Sequence, residues 1–448
     1  MFQTAGGSPG FNIARWDGSV WSKVGIAGIS GNGVNGAVYA TTADGTNLYV
    51  GGVFTTAAST IAKTVNYVAK WDGNIWSPMG GGMSAVVRAI AAGDRVAYAG
   101  GDFLTAGGYI VNRIAKWDGK NWSPLGSGIA SGFIKAVAVS GTNVYVGGSF
   151  DTAGGVTVAN VAKWDGSSWS ALSSGVNGVV HAMAANATNL YVGGEITHAG
   201  FVDVNGVARW DGTAWSRMGK GTTNGVQNGG VEAIAVSGTN VYVGGTFGRA
   251  GGLTVNAIAR WDGSNWFALG SSVNSTVLAL AANGNDLYAG GYFTSAGGIS
   301  ANRIAKWDGN SWSALGSGLG SGSNDWVAAI AVSGTDVYAS GIFTNAGTMG
   351  ANYIAHWNGT TWSPLGSGTS IGSPPAVYGL AAGDGKVYAG GVFFNAGQKP
   401  SALFAIWTPP GVSAPIANVG LLPNGDRLIT WTSAPGQTYH VYSTTNLS

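Results

Sequence analysis

The stretch IKAVAVSGTNVYVGGSFDTAGGVTVANVAKWDGSSWSAL, residues 134–172, decides the fold. It divides into four short runs rich in β-branched and aromatic residues, at 134–139, 144–148, 160–164 and 169–172, here called A, B, C and D. Runs of this length and composition, bounded by turn residues, read as β-strands. Ser-Gly-Thr-Asn separates A from B, and Asp165-Gly166 separates C from D, a pair that favours the positive φ angles of tight hairpins. Both connections are short hairpins, so the strands of a unit run antiparallel. The B–C link, which carries Phe-Asp-Thr-Ala-Gly-Gly, and the D–A link, the most variable in length, then share the opposite face.

The unit recurs along the whole chain. Trp-Asp-Gly stands at Trp16, Trp71, Trp117, Trp164, Trp210, Trp261 and Trp307, with variants at Trp357 and Trp407; successive spacings are 55, 46, 47, 46, 51, 46, 50 and 50. Four-stranded antiparallel units repeated radially are the blades of a β-propeller, and a Kelch repeat of about 50 residues is the nearest known period. The order of marks also resembles Kelch: Tyr145, Gly147 and Gly148 end strand B, Trp164 and Asp165 end C, and Trp169 opens D. Residues 1–408 look closer still to Gly- and Trp-rich propeller repeats of bacterial secreted or surface proteins. That resemblance implies a fold and a setting, extracellular or on a bacterial cell surface, with any export signal already removed. It does not transfer a function.

Strand counting predicts an all-β, eight-bladed propeller of four-stranded antiparallel blades. The N-terminus supplies C and D, seven complete units follow over 38–365, and 377–391 supplies A and B, so both ends of the chain share the last blade and leave no open sheet edge. Residues 402–407 also read as a strand C. They either compete with the N-terminal pair or add a fifth strand, and a nine-bladed or open array is the structural alternative. Residues 409–448 are a linker and short β tail with three alternating runs, similar to the opening of a fibronectin type III-like domain with Trp431 and Tyr439 as core aromatics. A full sandwich needs about 100 residues, so the tail is a partial domain and both ends look like cuts in a longer protein.

Composition removes several functions. The chain of 448 residues has no Cys, which excludes disulfides, thiolate metal sites and Cys nucleophiles, and with them the cross-linked copper-radical site of the Kelch-like galactose oxidase kind. Net charge is +2 without a basic run, so neither nucleic acid nor an anionic membrane is an expected partner. No apolar run reaches the roughly 20 residues that span a bilayer. No cofactor, metal site or catalytic residue is expected, and closed blades suggest a monomer.

Recurrence among units separates scaffold from site. The Trp residues of strands C and D read as packing between blades rather than sugar platforms, since a ligand at each would leave the blades without a core. The Asp of each Asp-Gly reads as turn chemistry. The cation before each strand C Trp (Arg15, Lys70, Lys116, Lys163, Arg209, Arg260, Lys306, then His356) is expected to stack on an aromatic of the next blade, with a basic ring for an anionic polymer as the alternative. The Asn five residues before that Trp (Asn66, Asn112, Asn205, Asn256, Asn302, Asn352) is expected to tie down the B–C loop.

One position breaks the pattern. The second residue of strand A reads Tyr39, Arg88, Lys135, His181, Glu232, Leu278, Ala328 and Tyr378 around the ring. Strand A is innermost in Kelch-like blades, so this row should surround one mouth of the central channel, and a concave mouth with convergent polar groups is the default binding site. The candidate ligand-binding residues are therefore Tyr39, Arg88, Lys135, His181, Glu232 and Tyr378. Trp326, in a D–A loop, and the long loop 219–230 are accessories. The expected function is a non-catalytic binding or adhesion scaffold for a glycan or surface protein. Its alternatives are a polysaccharide lyase or hydrolase, for which Tyr39, Arg88, His181 and Glu232 offer acid, base and charge-neutralising types, and a purely structural spacer.

Overall fold

The computed structural model describes residues 82–93 and 96–364, apart from 119 and 352, together with strands and short segments between 13 and 79 and between 369 and 443. Blade 3 shows how one unit folds. Strands Phe133–Ser140, Asn143–Ser149, Val161–Trp164 and Trp169–Ala171 pair in that order, each antiparallel to the next. Ser140 faces Asn143 across a two-residue turn that opens with Gly141 at φ 57°. The C–D hairpin is longer than Asp-Gly alone requires: Trp164 faces Trp169, and Asp165 Oδ1 accepts the N–H groups of Ser167 and Ser168, both at 2.8 Å. The carboxylate thus satisfies donors that a tighter turn would have paired with backbone. At the equivalent Asp211 the N–H groups of Ala214 and Thr213 lower the pKa to about 2.

Seven such four-stranded sheets lie within 38–78, 87–124, 133–171, 180–217, 231–267, 277–314 and 326–364, here blades 1 to 7. The eighth contains five strands. Phe404–Trp407 pairs antiparallel with Lys386–Val392, and Ile13–Trp16 then pairs parallel with Phe404–Trp407. The extra run near Trp407 is added to the closing sheet instead of displacing the N-terminal strands. Strand A of each blade neighbours strand A of the next, and that of the closing sheet meets that of blade 1, so the sheets form a ring with strand A innermost. Among the described residues the helical structure is a single 3-10 turn, Gly221–Thr223, within the long 219–230 loop.

The hydrophobic core lies between blades. Ala138, Tyr145 and Val161 of blade 3 pack with Leu190, Val192, Trp210 and Trp215 of blade 4. The strand D Trp fastens this seam: the Trp215 indole donates to Leu172 O of the preceding blade at 2.5 Å, and Trp312 does the same to Leu269 O at 2.6 Å. Trp210 and Trp215 tilt against each other at 57° with centroids 5.3 Å apart. The recurrent Trp pairs are therefore inter-blade packing.

Three other recurrent features behave differently from expectation. The B–C link is a β-hairpin, not a loop: Thr152–Ala153 pairs with Val156–Thr157 around Gly154 and Gly155, at φ 60° and 82°. Two successive positive φ angles are the type I′ turn that Ala-Gly-Gly makes available. The D–A link adds a bridge from Ile129 to Ala153. The recurrent Asn binds that link rather than its own loop, as Asn112 Nδ2 donates to Ser127 O at 2.8 Å and Asn302 Nδ2 to Ser317 O at 3.0 Å. The cation before Trp stacks within its own blade. Lys306 sits 5.9 Å from the Tyr288 ring centre and 2.7 Å from Asp286, and Arg260 lies 4.5 Å over Phe267. Tyr288 and Lys306 are cross-strand partners in one sheet.

Beyond the ring, Asn418–Leu421, Arg427–Ala434 and Gln437–Ser443 form a three-stranded antiparallel sheet with Trp431 opposite Tyr439. The linker 408–417 and the tail side chains lie outside the described residues.

Candidate functional site at the mouth of the central channel

The variable row has a structural cause. In blade 3, Ile134 pairs with Gly148 and Ala136 with Gly147, so Lys135 is an extra residue, a β-bulge in strand A. The same shift falls between Val87 and Ala89, Val180 and Ala182, Val231 and Ala233, Val277 and Ala279, and Val327 and Ala329. Every member of the variable row is therefore the bulged residue of its blade. Tyr39 and Tyr378 hold the same register, between Val38 and Ala40 and between Val377 and Gly379; their side chains lie outside the described residues.

The Tyr-x-Gly-Gly mark builds this geometry. A Cβ on Gly148 would lie 2.1 Å from Phe133 O, and one on Gly194 or Gly101 equally close to Val179 O or Val86 O. The second glycine therefore admits the bulged strand. The first admits the neighbouring blade, because a Cβ on Gly147 would come within 2.5 Å of Val180 and Met183 side chains. Bulges re-aim side chains and terminate regular pairing. Here the backbone is fixed by glycines while the projected side chain is left unconstrained.

Around the ring the described row falls into two arcs. Blades 2 to 5 carry charge. His181 Nδ1 lies 3.2 and 3.3 Å from the two carboxylate oxygens of Glu232 in the next blade. That hydrogen bond holds the Glu232 carboxyl below its ordinary pKa; burial opposes it, and the charges of His181 and Lys135 assist. Arg88 makes a bidentate contact with Asp102 of its own blade, at 2.9 and 2.7 Å, and its guanidinium sits 5.8 Å from the Phe133 ring centre of blade 3. Lys135 is exposed. Sequence reasoning missed Asp102, which directly follows the second glycine of strand B, as Glu195 and Tyr292 do in their blades.

Blades 6 and 7 carry apolar and aromatic groups, Leu278 and Ala328 in the bulge row with Tyr292 and Trp326 beside them. Trp326 is the first residue of strand A, paired with Ile342, and not part of a D–A loop as its sequence position suggested. It stacks on Tyr292 at 5.7 Å and 24°, and Tyr292 is 41% exposed. Arg303 supports this pair from below: it is buried and donates to Tyr292 O at 3.0 Å, Phe293 O at 3.2 Å and Gly322 O at 2.6 Å. Loop 219–230 lies at a groove between blades 4 and 5 lined by Glu195, Thr197, Asn205, Gln227 and Asn228, with a volume of about 460 Å³.

Elsewhere, Ser363, His356 and Asp336 meet in a triad-like order, with His356 Nδ1 3.3 Å from Ser363 Oγ and Nε2 2.8 Å from Asp336. They belong to the scaffold. Ser363 Oγ contacts the His356 carbonyl at 3.4 Å as Ser313 Oγ contacts that of Lys306, and His356 is 4% exposed and stacked on Tyr338. Among the described residues no group of three or more His, Cys, Asp or Glu side chains is placed to hold a metal ion, and no helix is long and apolar enough to cross a membrane.

Residues 217–374, which span blades 5 to 7, match the family described as Rax2 C-terminal beta propeller domain. Among solved structures, the computationally designed Ika8 protein superposes with a TM-score of 0.55 at 17% identity, covering 83% of this chain and 96% of that one. The chain is a β-propeller. Two further propellers are similar at lower scores. The WD40 domain of Doa1 gives 0.37 at 11% identity, covering 92% of this chain and 94% of its own; the β-propeller domain of the Trilobed protease from Pyrococcus furiosus gives 0.40 at 10%, covering 78% and 96%. No curated protein sequence matches the chain. At such identities the likeness concerns the fold alone.

Proposed function

We propose that this propeller is a non-catalytic binding scaffold that takes a glycan or a surface protein on its long-loop face, at the channel mouth. The observation that carries this reading is the bulge row: glycines hold one residue per blade at the same inner position, and its chemistry changes from blade to blade. A rigid scaffold presenting variable residues is how binding sites are commonly built. A charged arc facing an aromatic arc suits a ligand with both polar and apolar faces. Screening the chain on glycan and surface-protein panels tests it, with Lys135→Ala and His181→Ala as controls. A hit weakened by both substitutions is expected; panels with no hit would favour the structural spacer.

The proposal includes an extracellular or cell-surface setting, a monomeric propeller, and a tail that begins a fibronectin type III-like domain. A second reading rests on the His181–Glu232 pair, in which the carboxylate orients an imidazole at the mouth for acid–base work on a polysaccharide. Time-dependent depolymerisation of an anionic polysaccharide, abolished by His181→Ala, would establish it.

A further inference from the structure

The short-turn face, opposite the mouth, carries a feature that repeats. Two grooves open there at equivalent places, one between blades 3 and 4 and one between blades 6 and 7, with volumes of about 590 and 610 Å³. Their walls share several equivalent positions. Tyr145 and Lys163 line the first, and their counterparts Tyr288 and Lys306 line the second; these pairs are cross-strand partners in their blades. Asn143 and Asp286 occupy the same register at the start of strand B. The following blade supplies the other wall from its A–B turn, Asn186 to Asn189 in one groove and Gly334 and Thr335 in the other, and from its C–D turn, Asp211 and Gly212 or Gly359.

The inner end of each groove is stitched in the same way. Ser140 Oγ donates to Asn186 O at 2.8 Å, and Asn283 Nδ2 donates to Gly334 O at 2.7 Å. The spacing between the walls is therefore set by the blade repeat, independently of the mouth.

The charges in each groove cancel. Lys306 faces Asp286 at 2.7 Å, and Lys163 shares its groove with the ionised Asp211. Around these lie amide, hydroxyl and backbone groups on both walls, with a small apolar surface from Ala314, Leu315 and Trp357 in the second groove. Such a lining offers both donors and acceptors without a net charge to select an ion. Volumes of this size fall within the usual range for small-ligand sites, about 300–1,000 Å³.

We propose that these two inter-blade grooves are repeated, low-affinity sites for a neutral polyhydroxylated ligand, a two- or three-residue segment of a neutral polysaccharide, and that the short-turn face holds the polymer through both grooves at once. Linking weak sites raises apparent affinity by effective concentration, without any strong single contact. The proposal does not rest on the mouth as a ligand site.

The test uses the full chain with maltose, cellobiose and lactose as free probes, and their polymer or bead-immobilised forms as multivalent ones. Calorimetry or ligand-observed NMR should give at least two equivalent sites per chain for one of these sugars, and the multivalent form should bind at least ten-fold more tightly. Ala187→Arg and Thr335→Arg alter exposed turn residues and should each remove one equivalent of free sugar. The double variant should lose the multivalent advantage, while thermal unfolding stays unchanged. A single site per chain, sugar binding abolished by Lys135→Ala, or no binding of any of the three sugars in either form would overturn the proposal.

Discussion

The strand C and D tryptophans and the strand A bulges belong to the same repeat, yet they differ in what varies. At the outer seam the side chain is constant, and the strand D indole is paired by the neighbouring blade, as Trp215 reaches Leu172 O. At the inner bulge the backbone is constant and the side chain changes from Arg88 to Lys135, His181, Glu232, Leu278 and Ala328. Burial enforces identity in the first case because a close-packed seam does not tolerate a void. In the second, constraint has moved to Gly147 and Gly148, so the bulged residue is free to serve a ligand.

The seam should break hardest. Trp215→Ala removes a buried indole and an inter-blade hydrogen bond, and should cost about 3–5 kcal/mol in chemical denaturation; Trp215→Phe should recover much of that. Gly148→Ala should cost about 2–3 kcal/mol, since the new Cβ meets Phe133 O at 2.1 Å and the bulge must move. A loss below about 0.5 kcal/mol would mean that the glycine does not fix the bulge.

How far this contrast was legible in sequence follows from the same physics. The period, the four strands and the variable position in strand A were readable because turn residues and Trp repeat visibly, whereas the bulge at that position was not. The B–C hairpin was missed although Ala-Gly-Gly followed by alternating apolar residues is itself a hairpin signal at 153–158. The cation was assigned to the wrong blade because alternation along a strand tells which face a residue uses, not which neighbour is nearer. Asp102 and Tyr292 were not legible at all, since their pairing with Arg88 and Trp326 depends on where the bulge aims its side chain.

A pH experiment sharpens the comparison at blade 7. Burial holds the pKa of His356 below the ordinary imidazole value, against the pull of Asp336. The unfolded chain therefore takes up the proton more readily, so stability is full above the ordinary imidazole range and declines as pH falls through it. His356→Lys places beside Asp336 the residue that Lys306 presents to Asp286, and should flatten the profile of melting temperature between about pH 5 and 8.

The smallest stability effects belong to the bulge row. Lys135→Ala and Arg88→Ala should each change stability by less than about 1 kcal/mol, the range of exposed ion pairs, as read by thermal or chemical unfolding. The most direct measurement combines three bulge positions. Lys135→Ala, His181→Ala and Glu232→Ala in one chain should leave the melting temperature within about 5 °C of the parent and abolish binding to the ligand found on the panels. Collapse of the fold would show that the row is scaffold, and undiminished binding would place the site elsewhere; either result contradicts the division of labour between glycine and bulge.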